Sequence, residues 1–424
     1  MPMKRISTII LLLLIWQGFA QSQTVLSLAE CIELALKSNP KMQSKKWQVT
    51  SAEALLQQSQ AGYRPMLSAA AHHSQFFYNQ YNYREQALGL VADWSPGKWL
   101  MHSASAEQNE IAAKTADYQQ SEVDVVRRVS SLYAEILLTD IRENLVQNRL
   151  ALLDQHLNVA RALWQAGIRT QLDVLQTKSA RIAVKQEMVD IQSQSENLKN
   201  ELRLLLNRGN DLPLMLKPFP AGRAEIDSLS DVGRVKNMVA RYNPALKMLA
   251  FQATAEKLRN LKIKAALLPN LQFSGGYVAD GDPTAEGNYG IVSLGVQVPL
   301  FQWGQSKYQR EEIAANTHAL ELQRLNLQRE LDIEVERILT RRKRLSETYR
   351  LQQAQLTIDQ QAFDIATANY QAGLITNLEY LAAQKNLTEN QLQIQEIQLD
   401  MLLSLIDIYA ITGKTGNIAK LQGE

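Results

Sequence analysis

Gln165-Ala166-Gly167-Ile168-Arg169-Thr170-Gln171-Leu172 returns as Gln371-Ala372-Gly373-Leu374-Ile375-Thr376-Asn377-Leu378, 206 residues further along the chain. Eight of the sixteen positions from Ala160 to Leu175 are identical at that offset. Upstream, seven of the 29 positions from Asn39 to Leu67 recur at an offset of 204, among them Asn39-Pro40 as Asn243-Pro244 and Pro65 as Pro269. A repeat of about 200 residues is far longer than a solenoid unit, so the chain is a duplicated domain-scale unit. The question becomes what one unit builds.

The residues before each Gln-Ala-Gly set the scale. From Leu100 to Ala166, and again from Gln305 to Ala372, there is neither Pro nor Gly. Apolar residues in the first run fall at Val125, Val129, Leu132 and Ile136, and in the second at Leu320, Leu327, Leu331, Val335 and Ile338. Those spacings trace one helical stripe. Each run predicts a helix of roughly 60 residues, about 90 Å at the α-helical rise, several times the average globular length. Gly167 and Gly373 suit the left-handed close of a helix, and Thr170 and Thr376 suit the start of the next. The helices that follow run to Leu206 and Thr412, giving two very long antiparallel hairpins packed in coiled-coil fashion.

Ahead of each hairpin the period changes from helical to alternating. Val292, Leu294, Val296, Val298 and Leu300 alternate with Ser293, Gly295, Gln297 and Pro299, which predicts a strand. Its partner runs through Leu271, Phe273, Gly275 and Tyr277. The first copy repeats the plan with Leu67, Ala69, Ala71 and then Leu88, Leu90, Ala92 and Trp94; its connecting loop is expected to hold Phe76, Phe77, Tyr78, Tyr81 and Tyr83. Strands are thus expected at about 66–76, 86–95, 270–279 and 289–300. One unit reads as helix, two strands, long helical hairpin. An open four-stranded sheet cannot lie in lipid, because its edge amides and carbonyls would be unsatisfied. Outer-membrane barrels start at eight strands, so closure needs several chains. Tyr63, Tyr83, Trp94, Trp99, Tyr277, Tyr289, Phe301 and Trp303 fall near strand ends or loops, as aromatic girdles do. Four ordinary strands of a soluble sheet are the alternative.

The start of the chain reads as a secretory leader over residues 1–20. Lys4-Arg5 precedes an apolar run from Ile9 to Trp16 and a small-residue site at Gly18-Phe19-Ala20. The run is too short to span a bilayer. Cys31, the one cysteine, forbids an internal disulfide. It sits in a helical pattern, where a small buried apolar role fits better than lipid attachment. A net charge of +2 gives no reason to expect nucleic acid. The expected organisation is a first repeat over 21–207, with its hairpin at about 100–207, and a linker over 208–233. A second repeat follows over 234–413, with its hairpin at about 305–412, then a short frayed tail over 414–424.

These features resemble the outer membrane efflux protein family, the TolC-type channel of tripartite exporters. The resemblance spans essentially the mature chain. It rests on the two Asn-Pro helix starts, and on Pro65, Pro269 and Val298-Pro299-Leu300-Phe301 at helix–strand junctions. The pattern Gly-x-x-Thr-x-Leu-(Asp/Glu)-x-Leu completes it, at Gly167 to Leu175 and Gly373 to Leu381. It implies a mainly α fold with a small transmembrane β part, assembled as a homotrimer with a 12-stranded β-barrel on a long α-helical barrel. The implied function is a passive outer-membrane exit channel of a tripartite efflux or type I secretion system. A periplasmic adaptor would open it and an inner-membrane pump would drive it, with outer-membrane lipid around the barrel. The first copy departs from the pattern with Asp93-Trp94-Ser95-Pro96-Gly97, and the chain lacks the N-terminal lipid cysteine of several relatives. The rival reading is a periplasmic structural or adaptor coiled-coil protein, which leaves the four strands unexplained.

Chemistry-bearing constellations are few. His72-His73 point to opposite faces of a strand, poor geometry for one metal. Gly413-Lys414-Thr415 lacks the upstream glycine of a phosphate loop, since position 408 is Ile408. No nucleophile motif stands out, so neither an enzyme nor a cofactor is expected. The candidate adaptor-docking tips are Gly167, Thr170, Gly373 and Thr376. Candidate residues for a periplasmic gate are Asp359 and Asp364, on the helix preceding Gly373. In a trimer Asp364 would form a ring of three carboxylates, able to favour cations or hold a pore shut.

Overall fold

The structure is a computed structural model, described for residues 25–77, 79, 82–95, 104–209, 214–218, 231–284, 287–419 and 421. The leader, much of the linker, Tyr78, Tyr81, Pro96, Gly97 and Trp99 lie outside the described residues. The chain forms two compact units that cut across the sequence repeat. One comprises residues 1–40, 122–235 and 334–424, the other 41–121 and 236–333.

The second-named unit holds the sheet. Helices α2 (Pro40–Ala61) and α6 (Pro244–Ala265) each begin at the proline of an Asn-Pro pair and run 22 residues. Proline suits a helix start because its missing N–H would have no intrahelical partner there. Both end in the same knee. Gly62, Tyr63 and Arg64 donate backbone bonds to Gln58, Gln60 and Ala61, and Ala266, Leu267 and Leu268 do so to Lys262, Lys264 and Ala265. Pro65 and Pro269 then stand immediately before strands β2 (Met66–Phe77) and β5 (Asn270–Asp280). Strands β3 (Asn82–Trp94) and β6 (Tyr289–Gln297) complete one antiparallel sheet in the order β2-β3-β5-β6, open at both edges.

The register sorts side chains cleanly. Leu67 lies opposite Ala92, Ala92 opposite Phe273, and Phe273 opposite Leu294. Ala71, Leu88 and Tyr277 form a parallel row, as do Trp94, Leu271 and Val296. Directly paired residues share a face, so over these rows one face is apolar across all four strands, and it turns polar toward the β2–β3 tip at His73, Gln75, Arg84 and Gln86. Its larger side chains, among them Leu67, Leu88, Phe273 and Leu294, are exposed. The opposite face carries Ser68, His72, Ser74, Glu85, Asp93, Gln272 and Ser293. Gly89 and Gly276 meet across β3 and β5; a Cβ on either would come within 2.9 Å of the other strand's backbone. Glycine is required there for close strand approach.

Several sequence expectations need correction. β3 starts at Asn82, not near 86, so Phe76, Phe77 and Tyr83 lie in strands rather than in a loop. The rings of Phe76 and Tyr83 stack at 4.7 Å, a cross-strand pair that zips the hairpin closer to its tip. β6 ends at Gln297, leaving Val298, Pro299 and Leu300 beyond it. Proline has no amide to continue the ladder.

The first-named unit is helical apart from one two-stranded pairing. Helix α1 (Leu28–Ser38) precedes α2, so the first copy opens with two helices rather than one. A capping box between Ser27 and Glu30 starts α1, and the second copy mirrors it with α5 (Val232–Tyr242). Cys31 is fully buried in α1; desolvation, with Glu30 adding to it, pushes its thiol up to about 12. Helices α3 (Ala104–Gln165) and α4 (Gln171–Leu205) form the first hairpin, and α7 (Gln305–Gln371) and α8 (Asn377–Ile411) the second. α3 has 62 residues and α7 has 67; only their residues from 122 and 334 onward belong to this unit. Val146 and Leu153 of α3 pack with Val184 and Ile191 of α4, and Leu381 of α8 joins them. Ion pairs Arg142–Glu396 and Arg341–Asp400 tie α8 to α3 and α7.

The segment between the copies is more than a linker. Met215–Leu216 (β4) pairs in parallel with Val25–Leu26 (β1), and the Tyr133 hydroxyl donates to the carbonyls of Leu26 and Lys217. Among the described residues of the tail, α9 (Gly416–Ala419) buries Ile418, and Leu421 is buried after it. Among the described residues no helix is long and apolar enough to cross a membrane.

Candidate functional site: the two helical turns

Each hairpin turn closes by the same rule. Gly167 and Gly373 have φ of +75° and +82°, a region a side chain disfavours. Ile168 donates to the Leu163 carbonyl at 2.9 Å, and Leu374 donates to that of Asn369 at 2.8 Å. These are the six-to-one bonds of a Schellman close. A Cβ on either glycine would meet nothing within 4 Å, so conformation rather than space dictates the residue.

The next helices start differently. Thr376 is a full cap: its hydroxyl accepts from the Glu379 amide at 3.3 Å, and Glu379 accepts from the Thr376 amide at 2.6 Å. That backbone bond, with the hydroxyl bond second, holds the Glu379 carboxyl below its usual range. Thr170 occupies the same position but makes no side-chain bond to the backbone. Its hydroxyl donates to Asp173 at 3.2 Å.

The turns are joined by a polar and aromatic cluster that sequence reading had not singled out. Asn377 is buried and its amide fully used. Its nitrogen donates to the Asp173 carbonyl and to Gln176, both at 3.2 Å. Its oxygen accepts from His156 Nε2 at 2.8 Å and from the Thr177 hydroxyl at 3.2 Å. The His156 ring stacks on Tyr380 with centroids 3.7 Å apart and leans on Tyr370 at 4.6 Å. Burial pulls His156 below its ordinary value, against the upward influence of Asn377 and Asp173. Arg169 crosses from the first turn to the carbonyls of Tyr370 and Ile375, with its guanidinium 4.7 Å from the Tyr370 ring. Desolvation, then the Asp173 carboxylate, pushes Tyr370 up. The signal for this cluster lay in the repeat's mismatches: at the 206 offset His156, Arg169 and Gln171 face Ala362, Ile375 and Asn377.

The candidate gate acids stand apart. Asp359 is half-buried and accepts from Asn390 of α8 at 2.6 Å and Gln355 at 2.8 Å. Asp364 is exposed and accepts from Gln360 on its own helix at 3.1 Å. Five residues apart, they point about 140° apart around α7. Pro65 and Pro269 sit at the helix-to-strand knees, and Pro299 at the strand-to-helix passage. Among the described residues no cluster of three or more His, Cys, Asp or Glu could hold a metal.

A duplicated chain with one open sheet and two long helical hairpins has the fold of outer-membrane efflux channels. The chain belongs to the outer membrane efflux protein family, whose model matches residues 31–208 and 238–414. It is similar to the pyoverdine export outer membrane protein OpmQ of Pseudomonas aeruginosa, 22% identical over 342 residues, 77% of this chain and 69% of that protein. Among solved structures it resembles CusC, at a TM-score of 0.77 and 18% identity over 94% of both chains. It also resembles the outer membrane protein VceC of Vibrio cholerae, at 0.76 and 20% identity over 91% of this chain and 96% of that one. The protein is an outer-membrane efflux channel, of a family that transports rather than catalyses.

Proposed function

We propose that three copies of the chain close into a twelve-stranded barrel set on a helical barrel, forming the passive exit duct of a tripartite exporter. The observation that carries this is the open sheet: its edge strands β2 and β6 leave backbone groups unpaired, and one face is apolar and exposed from the Leu67–Ala92–Phe273–Leu294 row to the Ala71–Leu88–Tyr277 row. Lipid accepts such a face only if the edges are satisfied by further chains. The helices support the same closure. Exposed Leu175, Ile182 and Val189 on α4, and Leu351, Ile358 and Ile365 on α7, each recur every seven residues, the spacing of a coiled-coil seam. A periplasmic adaptor engages the turns around Gly167, Thr170, Gly373 and Thr376, and an inner-membrane pump supplies the energy. Of the two acids, Asp364 is the one free to contribute to a ring of three carboxylates at the periplasmic end.

The test is the mass of the detergent-extracted particle, corrected for bound detergent. Three times the 47.8 kDa precursor, less the leaders, supports the reading; a monomer that stays soluble without detergent overturns it. In planar bilayers the trimer conducts little, and Asp364→Ala raises the resting conductance.

A further inference from the structure

Not every aromatic residue of the strands lies where a lipid girdle would have it. Trp94 and Tyr277 share the apolar face. Tyr289 lies opposite Val278, Val278 opposite Ala87 and Ala87 opposite His72, so Tyr289 stands on the other face, with Ser68 and His72. The Phe76–Tyr83 pair is on that same face, two rows nearer the β2–β3 tip. In the row between them Ser74 pairs with Glu85, and Glu85 with Asp280. Like charges set directly opposite on neighbouring strands repel, and the sheet supplies nothing to offset them. Among the residues of the four strands the one Lys or Arg is Arg84, which pairs with Gln75 on the opposite face. Asp280 accepts a backbone bond from Asp282 at 2.8 Å, which holds the carboxylate without neutralising it.

These rows stand at the end of the sheet away from the helical knees, at the height where the other face has turned polar. If the apolar face meets lipid, they line the inside of the tube at its mouth. Aromatic rings there serve no lipid contact. Phe76 and Tyr83 stack at 4.7 Å and 19°, and Tyr289 is 44% exposed. A ring face offers stacking to a flat solute and its negative quadrupole to a cation, and the adjoining carboxylates add the complementary charge. We propose that Phe76, Tyr83 and Tyr289, with Glu85 and Asp280 in the row between, form a collar inside the outer mouth of the duct that contacts cargo bearing a flat, cationic organic group. Three copies repeat the collar around the lumen. The occupant is a transported solute, because the face lines a tube and its charge selects a cation. The collar rests on the reading that three copies close into a duct with the apolar face toward lipid.

The experiment measures, by equilibrium dialysis with empty micelles subtracted, how the detergent-extracted full chain binds ethidium, a flat organic cation. Wild type is expected to bind ethidium and to ignore naphthalene disulfonate, a flat anion. Tyr289→Leu and Tyr83→Leu should each weaken binding about tenfold. Glu85→Gln and Asp280→Asn should each weaken it about threefold at low salt. Tyr289→Phe keeps the ring and should bind as wild type does, and so should Tyr277→Leu, on the apolar face. If wild type binds no ethidium, or if both leucine variants of the collar bind it unchanged, the collar is wrong. It is equally wrong if Tyr289→Phe loses as much as Tyr289→Leu, since the ring is then not the contact. Should Tyr277→Leu weaken binding while Tyr289→Leu does not, the apolar face lines the tube and the membrane reading beneath the collar fails too. Tyr289 lies on an edge strand, so its variants carry the test if Tyr83→Leu assembles poorly.

Discussion

The two turns began as one sequence and are no longer equivalent. The second keeps a complete capping box at Thr376 and Glu379 and sends Asn377 into the protein. The first leaves the Thr170 side chain without a cap bond, exposes Gln171, and spends Arg169 on the other turn's carbonyls. Duplication supplied two interchangeable hairpin ends. Divergence at a few positions turned them into a giver and a receiver, so the pair is held by contacts neither could make with its own duplicate. His156 and Arg169 come from the first copy, Tyr370, Asn377 and Tyr380 from the second.

The sharpest way to break this comparison is at its centre. Asn377→Ala strands His156, Thr177 and Gln176 without their partner. It is expected to cost about 3 kcal/mol of local stability and to speed hydrogen exchange across both turns. The equivalent change in the other copy, Gln171→Ala, should stay within about 0.5 kcal/mol. Equal effects at the two positions would mean that the cluster does not couple the turns. Next come the glycines. Gly167→Ala and Gly373→Ala should each cost about 1–2 kcal/mol and nearly the same amount, because both sites are open and only φ opposes the change. A smaller split is expected at the caps: Thr376→Ala loses about 1 kcal/mol and Thr170→Ala a few tenths, read as fraying of the first turn of α8 against that of α4.

The last contrast is silent at neutral pH. Burial keeps His156 neutral by lowering its value below the ordinary one near 6.5. Its contribution is therefore fully present above that ordinary value and is lost as pH falls through the lowered folded one. Protease sensitivity of the turns should rise on acidification in wild type and rise less in His156→Gln. An acid response unchanged in that variant would assign the effect elsewhere.

How much of this the sequence disclosed depends on the range of the interaction. Gly167 and Gly373 declared themselves because a helix stop is decided within a few residues. The strands of the second copy did so because Val292 to Val298 alternate without interruption. The extra reach of β3 was hidden because Asn82-Tyr83-Arg84-Glu85 is polar and aromatic, and pairing with β2, not pattern, makes it a strand. A two-residue strand such as Met215–Leu216 is too short to show any period. Asn377 gave no local sign of burial, since its four partners include residues about 200 positions away. Only the mismatch between copies marked it.

The pairing of β1 with β4 has a consequence for time rather than for architecture. Val25 finds Met215 across 190 residues of chain, and the Tyr133 hydroxyl bridges both segments. A contact spanning so much chain must wait for its far partner and repays the entropy of closure late. The N-terminal strand therefore emerges first from the export machinery and settles only after the whole first copy has followed, making it the chain's clock for the completion of its first half.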